Sequence, residues 1–399
     1  MKKIIYRIQE IGEVCGGGTP RTTISEYWNG DIPWISPDDL TDYKSVYIKN
    51  GKNFITKLGY KNSSTKMLPK GTLLFSSRAP IGYIAIAENP ICTNQGFKSI
   101  ILNDKVNNLY FYYWLKCNLN YIKLFGNGAT FPEISGSRMK RIKVEIFENI
   151  EYQQKIAMIL RKYDQLIENN NKRIKLLEQM AAELYKEWFV KFRFPGYENT
   201  YVENAIPNGW KYVNLFEIGN VIYGFPFDSS KFCDDDSLNP VVRIRDIPGN
   251  NTFTYTSEVC DSKYIIKKND ILVGMDGIFH MCLWNGEYAL LNQRVVKINS
   301  KKKDFSELLL YLSIYDQIKF WEATLCGTTV SHLGDKHLKR MKVLLPPKEV
   351  LVKTNNIFTN IMNEKANLLA KNKKLTKQRD SLLPRLMSGK IDLEDKEVI

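Results

Sequence analysis

The residues that first invite a chemical reading are "GGGTPRTT", Gly16 to Thr23. Three glycines beside an arginine suggest a loop that cradles phosphate. Such a loop needs G-x-x-x-x-G-K-[ST], whose backbone amides surround the phosphates and whose lysine closes the site. Here that lysine and the second glycine at its required distance are missing, so the glycines are expected to turn the chain and Arg21 to face outward. An adenine methyltransferase would carry [DNS]-P-P-[YFW]. "NPVV" at 239 to 242 keeps only the first two letters, inside an apolar run that reads as a strand. The three histidines, His280, His332 and His337, lie in the second half of the chain, and the last two have zinc-like spacing without a companion ligand cluster. The seven cysteines are scattered with no C-x-x-C pair, which indicates neither a disulfide framework nor a zinc site, and they are expected to be reduced and mostly buried. No nuclease-like carboxylate cluster stands out.

Two segments carry a different chemistry. "GNGATFPEISGSRMKRIKV" (126 to 144) and "CGTTVSHLGDKHLKRMKVLLPP" (326 to 347) each place small and hydroxyl residues in a turn, then a basic stretch, then an apolar strand. Lysine and arginine there suit phosphate contacts, while Ser, Thr, Asn and Gln of adjacent loops can reach base edges. A solvated basic turn is the plain alternative. The chain as a whole carries 57 Lys and Arg against 43 Asp and Glu, a surplus of +14 that favours a polyanionic partner. Hydrophobic residues make up 44% of its 399 residues, enough for real cores. No apolar run of about 18 residues and no signal-peptide core is visible, so the chain reads as cytoplasmic.

The elements that position these segments occur twice. "EIGEVCGG" (10 to 17) matches "EIGNVIYG" (217 to 224), and "IPWISPDDL" (32 to 40) matches "NPVVRIRDI" (239 to 247), both at an offset of 207. After a net deletion in the second copy, "MLPKGTLLFS" (67 to 76) matches "YIIKKNDILVG" (264 to 274), "TNQGFKSIIL" (93 to 102) matches "LNQRVVKINS" (291 to 300), and "RMKRIKV" (138 to 144) matches "HLKRMKV" (337 to 343). Each copy reads as short strands with one helical stretch, at 107 to 118 and 306 to 318.

A heptad pattern follows each copy. The first seam runs Ile156, Leu160, Tyr163, Ile167, Asn170, Ile174, Leu177, Ala181, Leu184 and Trp188. The second runs Ile357, Ile361, Glu364, Leu368, Lys371, Leu375, Gln378 and Leu382, where Pro384 is expected to end or kink the helix. Packing the two helices antiparallel covers both stripes and sets the copies at opposite ends. The 33 residues from Ile156 to Trp188 span roughly 50 Å at about 1.5 Å per residue, more than one turn of B-DNA at about 34 Å. Asn170 either fixes the register of the pair or is simply solvated. The aromatic "EWFV" (187 to 190) reads as core packing or as a subunit contact.

"GGGTPRTTISEYWNGDIPWISPDDL", "RMKRIKV" leading into "QQKIAMIL", "ELYKEWFVKFRFPGYE" and "LLPRLMSGKIDL", in this order along essentially the whole chain, resemble the specificity subunit of type I restriction-modification systems. The polar seam of the second helix is a departure that bears on the tightness of the helix pair. The resemblance implies an α+β fold with two mainly β target recognition domains separated by two long antiparallel coiled-coil helices in pseudo-two-fold repeat. The domains fall at 1–148 and 206–346, the helices at 149–192 and 347–389, the linker at 193–205 and the tail at 390–399. It implies double-stranded DNA as ligand, with each domain reading half of an asymmetric bipartite site. It also implies two methyltransferase and two translocase/nuclease partner subunits, with S-adenosylmethionine, ATP and Mg2+ bound by those partners, and no catalytic, metal or cofactor residue in this chain. By analogy between the copies, the DNA-facing candidates are Arg21, Thr22, Arg78, Asn94, Gln95, Thr130, Arg138, Lys140 and Arg141 in the first copy. Those in the second are Arg243, Arg245, Gln293, Arg294, Thr328, Thr329, His332, Lys336, Lys339 and Arg340. Asn94 and Gln95 can equally be internal hydrogen-bonding residues at a strand end. A coiled-coil protein-binding scaffold and a self-contained methyltransferase or nuclease accessory are the competing readings.

Overall fold

In a computed structural model describing residues 1–128, 132–203, 205–325 and 331–393, the internal repeat becomes a shared strand register. The antiparallel pair Gly12↔Leu102 has its counterpart in Gly219↔Ser300, and Leu73↔Ile100 in Ile271↔Ile298. The parallel pair Trp34↔Cys92 corresponds to Val241↔Leu290. The paired strands keep offsets of 207 before the deletion and 198 after it. The deletion lies in the stretch that carries the first copy's edge strand Tyr47–Ile48, which has no counterpart among the described residues of the second copy. A register slip of one residue would turn each buried face outward.

The chain forms two compact units, Met1–Asn171 joined by the C-terminal stretch from Lys371, and Lys172–Ala370. In the first, a five-stranded sheet orders Gly12–Gly16, Lys98–Leu102, Leu73–Phe75, Ile84–Ala87 and Tyr47–Ile48. A three-stranded sheet places Trp28–Ile35 between Asn53–Ile55 and Cys92–Thr93. Alternation of apolar residues with Gly, Pro and Asn clusters makes these strands short, and Leu73, Phe75, Ile86 and Ile100 of the five-stranded sheet pack on a helix, Asn108–Cys117, whose Tyr110, Phe111 and Tyr113 are buried. Asn107 caps that helix by accepting from the Tyr110 amide at 2.9 Å. The second unit repeats the plan with Gly219–Tyr223, Val295–Ser300, Ile271–Gly274 and Met281–Leu283 in one four-stranded sheet. Tyr255–Thr256, Asn239–Val242, Tyr288–Leu291 and Ile265–Lys267 form the other. Its core helix is Glu307–Leu325. Two of the six described cysteines, Cys15 and Cys92, are buried; the other four are half-buried and unpaired, so fewer are covered than the sequence suggested.

The long helices are Ile150–Tyr185 and Lys348–Ser388. Within the first unit they run antiparallel: Asp164 pairs with Arg379, and Asn170 Nδ2 donates to Asn372 Oδ1 at 2.8 Å. Within the second, Arg173 meets Glu364 at 2.8 Å while Trp188 lies edge-on to Phe358. Ile156, Leu160, Ile167, Asn170, Ile174 and Ala181 are buried; Tyr163, Leu177, Leu184 and Trp188 are half-buried. On the second helix Ile361 and Leu368 are buried, and Leu375 and Leu382 half-buried.

The other positions of the second seam need correction. Ile357 is 39% exposed, and Lys371 and Gln378 also face solvent. One residue further on, Leu351, Phe358, Lys365, Asn372, Arg379 and Leu386 recur every seven residues and alternate with the Ile361 series. Three consecutive members of that row are polar, so apolar periodicity alone cannot select the phase. Each instead finds a partner: Lys365 with Glu178 at 2.7 Å, Asn372 with Asn170 and Asn171, and Arg379 with Asp164. Pro384 does not end the helix, which continues to Ser388. Pro384 removes one backbone donor, but Leu386 and Met387 are buried in the first core and hold the last turn down. Of "EWFV", Phe189 packs on Trp210 and Phe358, while Val190 is exposed. Among the described residues no helix is long and apolar enough to cross a membrane.

Candidate nucleic-acid interface

The glycine run does not turn the chain as expected: none of Gly16, Gly17 and Gly18 adopts a left-handed φ. Gly12–Gly16 is a strand, and a Cβ on Gly17 would lie 2.0 Å from the Asn94 carbonyl oxygen. Its equivalent Gly224 would meet the Asn292 carbonyl at 1.9 Å. The glycine common to both copies therefore lets a strand end press on the Asn-Gln turn. The Gly18 amide donates to the Thr93 carbonyl at 2.9 Å and is spent within the fold.

That close approach helps gather three loops. In the first unit the Ser77 amide donates to the Gly96 carbonyl at 2.7 Å and the Ile134 amide to the Ser77 carbonyl at 3.0 Å. In the second, the Met275 amide donates to Arg294 at 2.9 Å and the Leu333 amide to Met275 at 2.7 Å. These are the same two bonds at repeat-equivalent positions. In the first unit the junction borders a cleft of about 1000 Å³, whose lining includes Ser36, Arg78, Pro80, Asn94, Lys123 and Glu133. Arg78 Nη1 lies 3.4 Å from Glu133 Oε2, and Lys98 Nζ approaches the other carboxylate oxygen at 3.3 Å. In the second, Asp276 receives Arg294 Nε at 3.6 Å and His332 Nδ1 at 2.6 Å.

Beside the junction run the basic segments. In the first, the helix Gly136–Arg141 starts at Ser135, whose hydroxyl accepts from the Arg138 amide. Arg138, Lys140 and Arg141 are exposed; Arg138 Nη1 also donates to the Phe125 carbonyl at 3.1 Å and to Asn127 Oδ1 at 2.6 Å, fastening the loop to the helix. The second copy exposes Lys336, Lys339 and Arg340 about the short helix Asp335–Leu338. Asp335 accepts from Lys339 at 2.6 Å and from the Tyr223 hydroxyl at 2.7 Å, contacts that hold its carboxyl below the ordinary aspartate range.

Arg21 and Thr22 are exposed, as are Gln95, Arg245, Gln293, Arg294 and His332. Gln95 accepts from the Thr19 hydroxyl. Asn94 is half-buried and uses its Oδ1 to accept from the Gly96 amide at 2.8 Å, so it shapes the turn. Arg243 turns inward, a correction to its assignment as DNA-facing: its guanidinium lies over Phe232 and donates to the Thr254 hydroxyl. Thr130, Thr328 and Thr329 lie outside the described residues. His337 is buried against Trp321, with Nδ1 accepting from the Gly334 amide at 3.0 Å. Burial, then the charges of Lys336 and Arg340, pushes its pKa below the ordinary 6.5. Among the described residues no three His, Cys, Asp or Glu are grouped to hold a metal. Glu133 and Asp276 were missed by sequence reasoning. The signal was present, because the repeat superposes Arg78 on Asp276, a reversal of charge at one matched position, and Glu133 on His332.

The family model of the type I restriction modification DNA specificity domain matches residues 3–179 and again 207–377. The chain is 34% identical to the type I restriction enzyme MjaIX specificity subunit of Methanocaldococcus jannaschii, over 98% of this chain and 94% of that protein. It is 31% identical to the EcoBI specificity subunit of Escherichia coli over 49% of this chain and 42% of that one. The crystal structure of a type I restriction-modification S subunit from M. genitalium shares the fold, with a TM-score of 0.58 at 15% identity, covering 98% of this chain and 97% of that chain. Duplicated domain, paired helices and sequence kinship together make this chain a member of the type I restriction-modification DNA specificity family, the non-catalytic subunits that supply DNA specificity.

Proposed function

We propose that residues 1–148 and 206–346 each read one half of an asymmetric bipartite DNA site, and that the helix pair sets the distance between the halves. The observation that carries this reading is the repetition of one loop junction, with the same backbone hydrogen bonds and an adjacent exposed basic segment, in both copies. Equivalent scaffolds with different loop side chains are suited to related geometry and different sequence. Arg138, Lys140 and Arg141, with Lys336, Lys339 and Arg340, contact phosphates and set register, while the loop side chains at the junction face base edges. The chemistry then belongs to partners in the cytoplasm. Two methyltransferase subunits bind S-adenosylmethionine and flip the adenine out of the stack, and two translocase/nuclease subunits use ATP and Mg2+.

The test is to express the full chain with the methyltransferase subunit of its own genome and map methylated adenines by single-molecule sequencing. A two-part motif with a fixed spacer is expected. Methyl transfer by this chain alone, or a continuous motif, would overturn the reading. Replacing Arg138, Lys140, Arg141, Lys339 and Arg340 with glutamine should weaken binding across all sequences and flatten its salt dependence, by roughly 0.9 in the log–log slope for each phosphate left without its cation. Unchanged binding would favour a scaffold that contacts only proteins.

A further inference from the structure

The matched loop junctions place an arginine and a carboxylate at different matched positions. The repeat superposes position 78 on 276, 96 on 294 and 133 on 332, and the two backbone bonds described above run between equivalent residues in each copy. The first junction carries Arg78, Gly96 and Glu133; the second carries Asp276, Arg294 and His332. Each thus holds one arginine against one carboxylate, but the arginine comes from the 76–82 loop in the first and from the Asn-Gln turn in the second. The carboxylate likewise moves from position 133 to position 276.

We propose that Arg78 and Arg294 each read a guanine, one in each half-site, and that Glu133 and Asp276 are the residues that position them. This rests on the DNA-reading function above. Both guanidinium groups remain available, with side-chain exposures of 40% and 57%. Each carboxylate meets its arginine through one nitrogen, Nη1 of Arg78 and Nε of Arg294. A guanidinium has five N–H donors in a planar fork, so a bidentate face is left for O6 and N7 of guanine in the major groove. The carboxylate does two things. It restrains a long side chain before DNA arrives, lowering the entropy lost on binding, and its negative charge opposes a phosphate at the same place. An arginine so flanked favours a neutral base edge over the backbone. Moving the arginine between loops shifts where along the half-site the guanine is read, so one scaffold serves two sequences.

The test uses the full chain with its methyltransferase subunit on duplexes bearing the site that the wild-type complex methylates. Each guanine is replaced in turn by 7-deazaguanine, which lacks N7. One position in each half-site should cost the wild type about tenfold or more in affinity. Arg78→Ala should abolish discrimination at the first-domain position alone, and Arg294→Ala at the second-domain position alone, with thermal unfolding unchanged. Arg78→Lys should restore binding but only part of the discrimination, since an ammonium lacks the planar fork. Glu133→Gln and Asp276→Asn should reduce discrimination at the same positions while strengthening binding to unrelated DNA. The proposal is overturned if either half-site lacks such a guanine. It is also overturned if the alanine variants retain the discrimination, or if they lose affinity uniformly for all sequences as phosphate contacts would. A wild-type complex that methylates no bipartite site would instead count against the function on which the proposal rests.

Discussion

Gly17 and Gly224 owe their residue type to a carbonyl oxygen 2.0 and 1.9 Å, respectively, from where a side chain would start. Because the obstacle is backbone, no rotamer relieves it. Gly17→Ala and Gly224→Ala should each destabilise by about 2 kcal/mol or more, the scale of overpacking with backbone displacement, as measured by urea unfolding; a loss under about 0.5 kcal/mol would contradict the close packing. His337 gives a second residue-scale prediction. Its folded pKa lies below the unfolded value near 6.5, so between the two the unfolded chain binds the extra proton. Stability contributed by the neutral ring is complete above pH 6.5 and is lost as pH falls toward the folded pKa. Thermal midpoints should therefore fall more between pH 7.5 and 5.5 in the wild type than in His337→Gln. Parallel curves would remove histidine from the explanation.

At the scale of the elements, the second helix holds half-buried polar residues in its seam and answers each across the pair. Arg379 and Asp164 have side-chain exposures of 16% and 5%, and Asp164 also accepts from the Tyr113 hydroxyl at 2.5 Å. Asp164→Ala leaves Arg379 only the exposed Asp380 carboxylate at 2.7 Å and takes the acceptor from the Tyr113 hydroxyl. It should cost roughly 1.5–3 kcal/mol, whereas Asp164→Leu with Arg379→Met should recover part of that loss. A double-mutant cycle in denaturant measures it; a single loss below about 1 kcal/mol would mean the pair is effectively solvated. The same row explains how much of these helices was legible. Ile361, Leu368, Leu375 and Leu382 show the heptad directly. The intervening row could not be phased, because Lys365, Asn372 and Arg379 are distinguished from their exposed neighbours only by partners on the other helix.

For the whole molecule, the proposed ruler makes spacer length a property of the helix pair. Seven residues inserted in each long helix, opposite one another, preserve both seam phases and add about 10 Å at about 1.5 Å per residue, or about three base pairs at 3.4 Å. Methylome sequencing should show a spacer lengthened by about three base pairs and both half-sites unchanged. An altered half-site would deny the separation of ruler from readers.

The sequence by itself determined the duplication, its two offsets, the existence of both long helices and the basic segments, because order, period and composition are written locally along the chain. It did not determine which charges meet. Glu133 reaches Arg78 across 55 residues and Asp164 reaches Arg379 across 215, while Arg243, as basic in sequence as its neighbours, turns in toward Phe232. Only the tertiary structure decided these, since a side chain's role depends on the groups that folding brings within hydrogen-bonding reach.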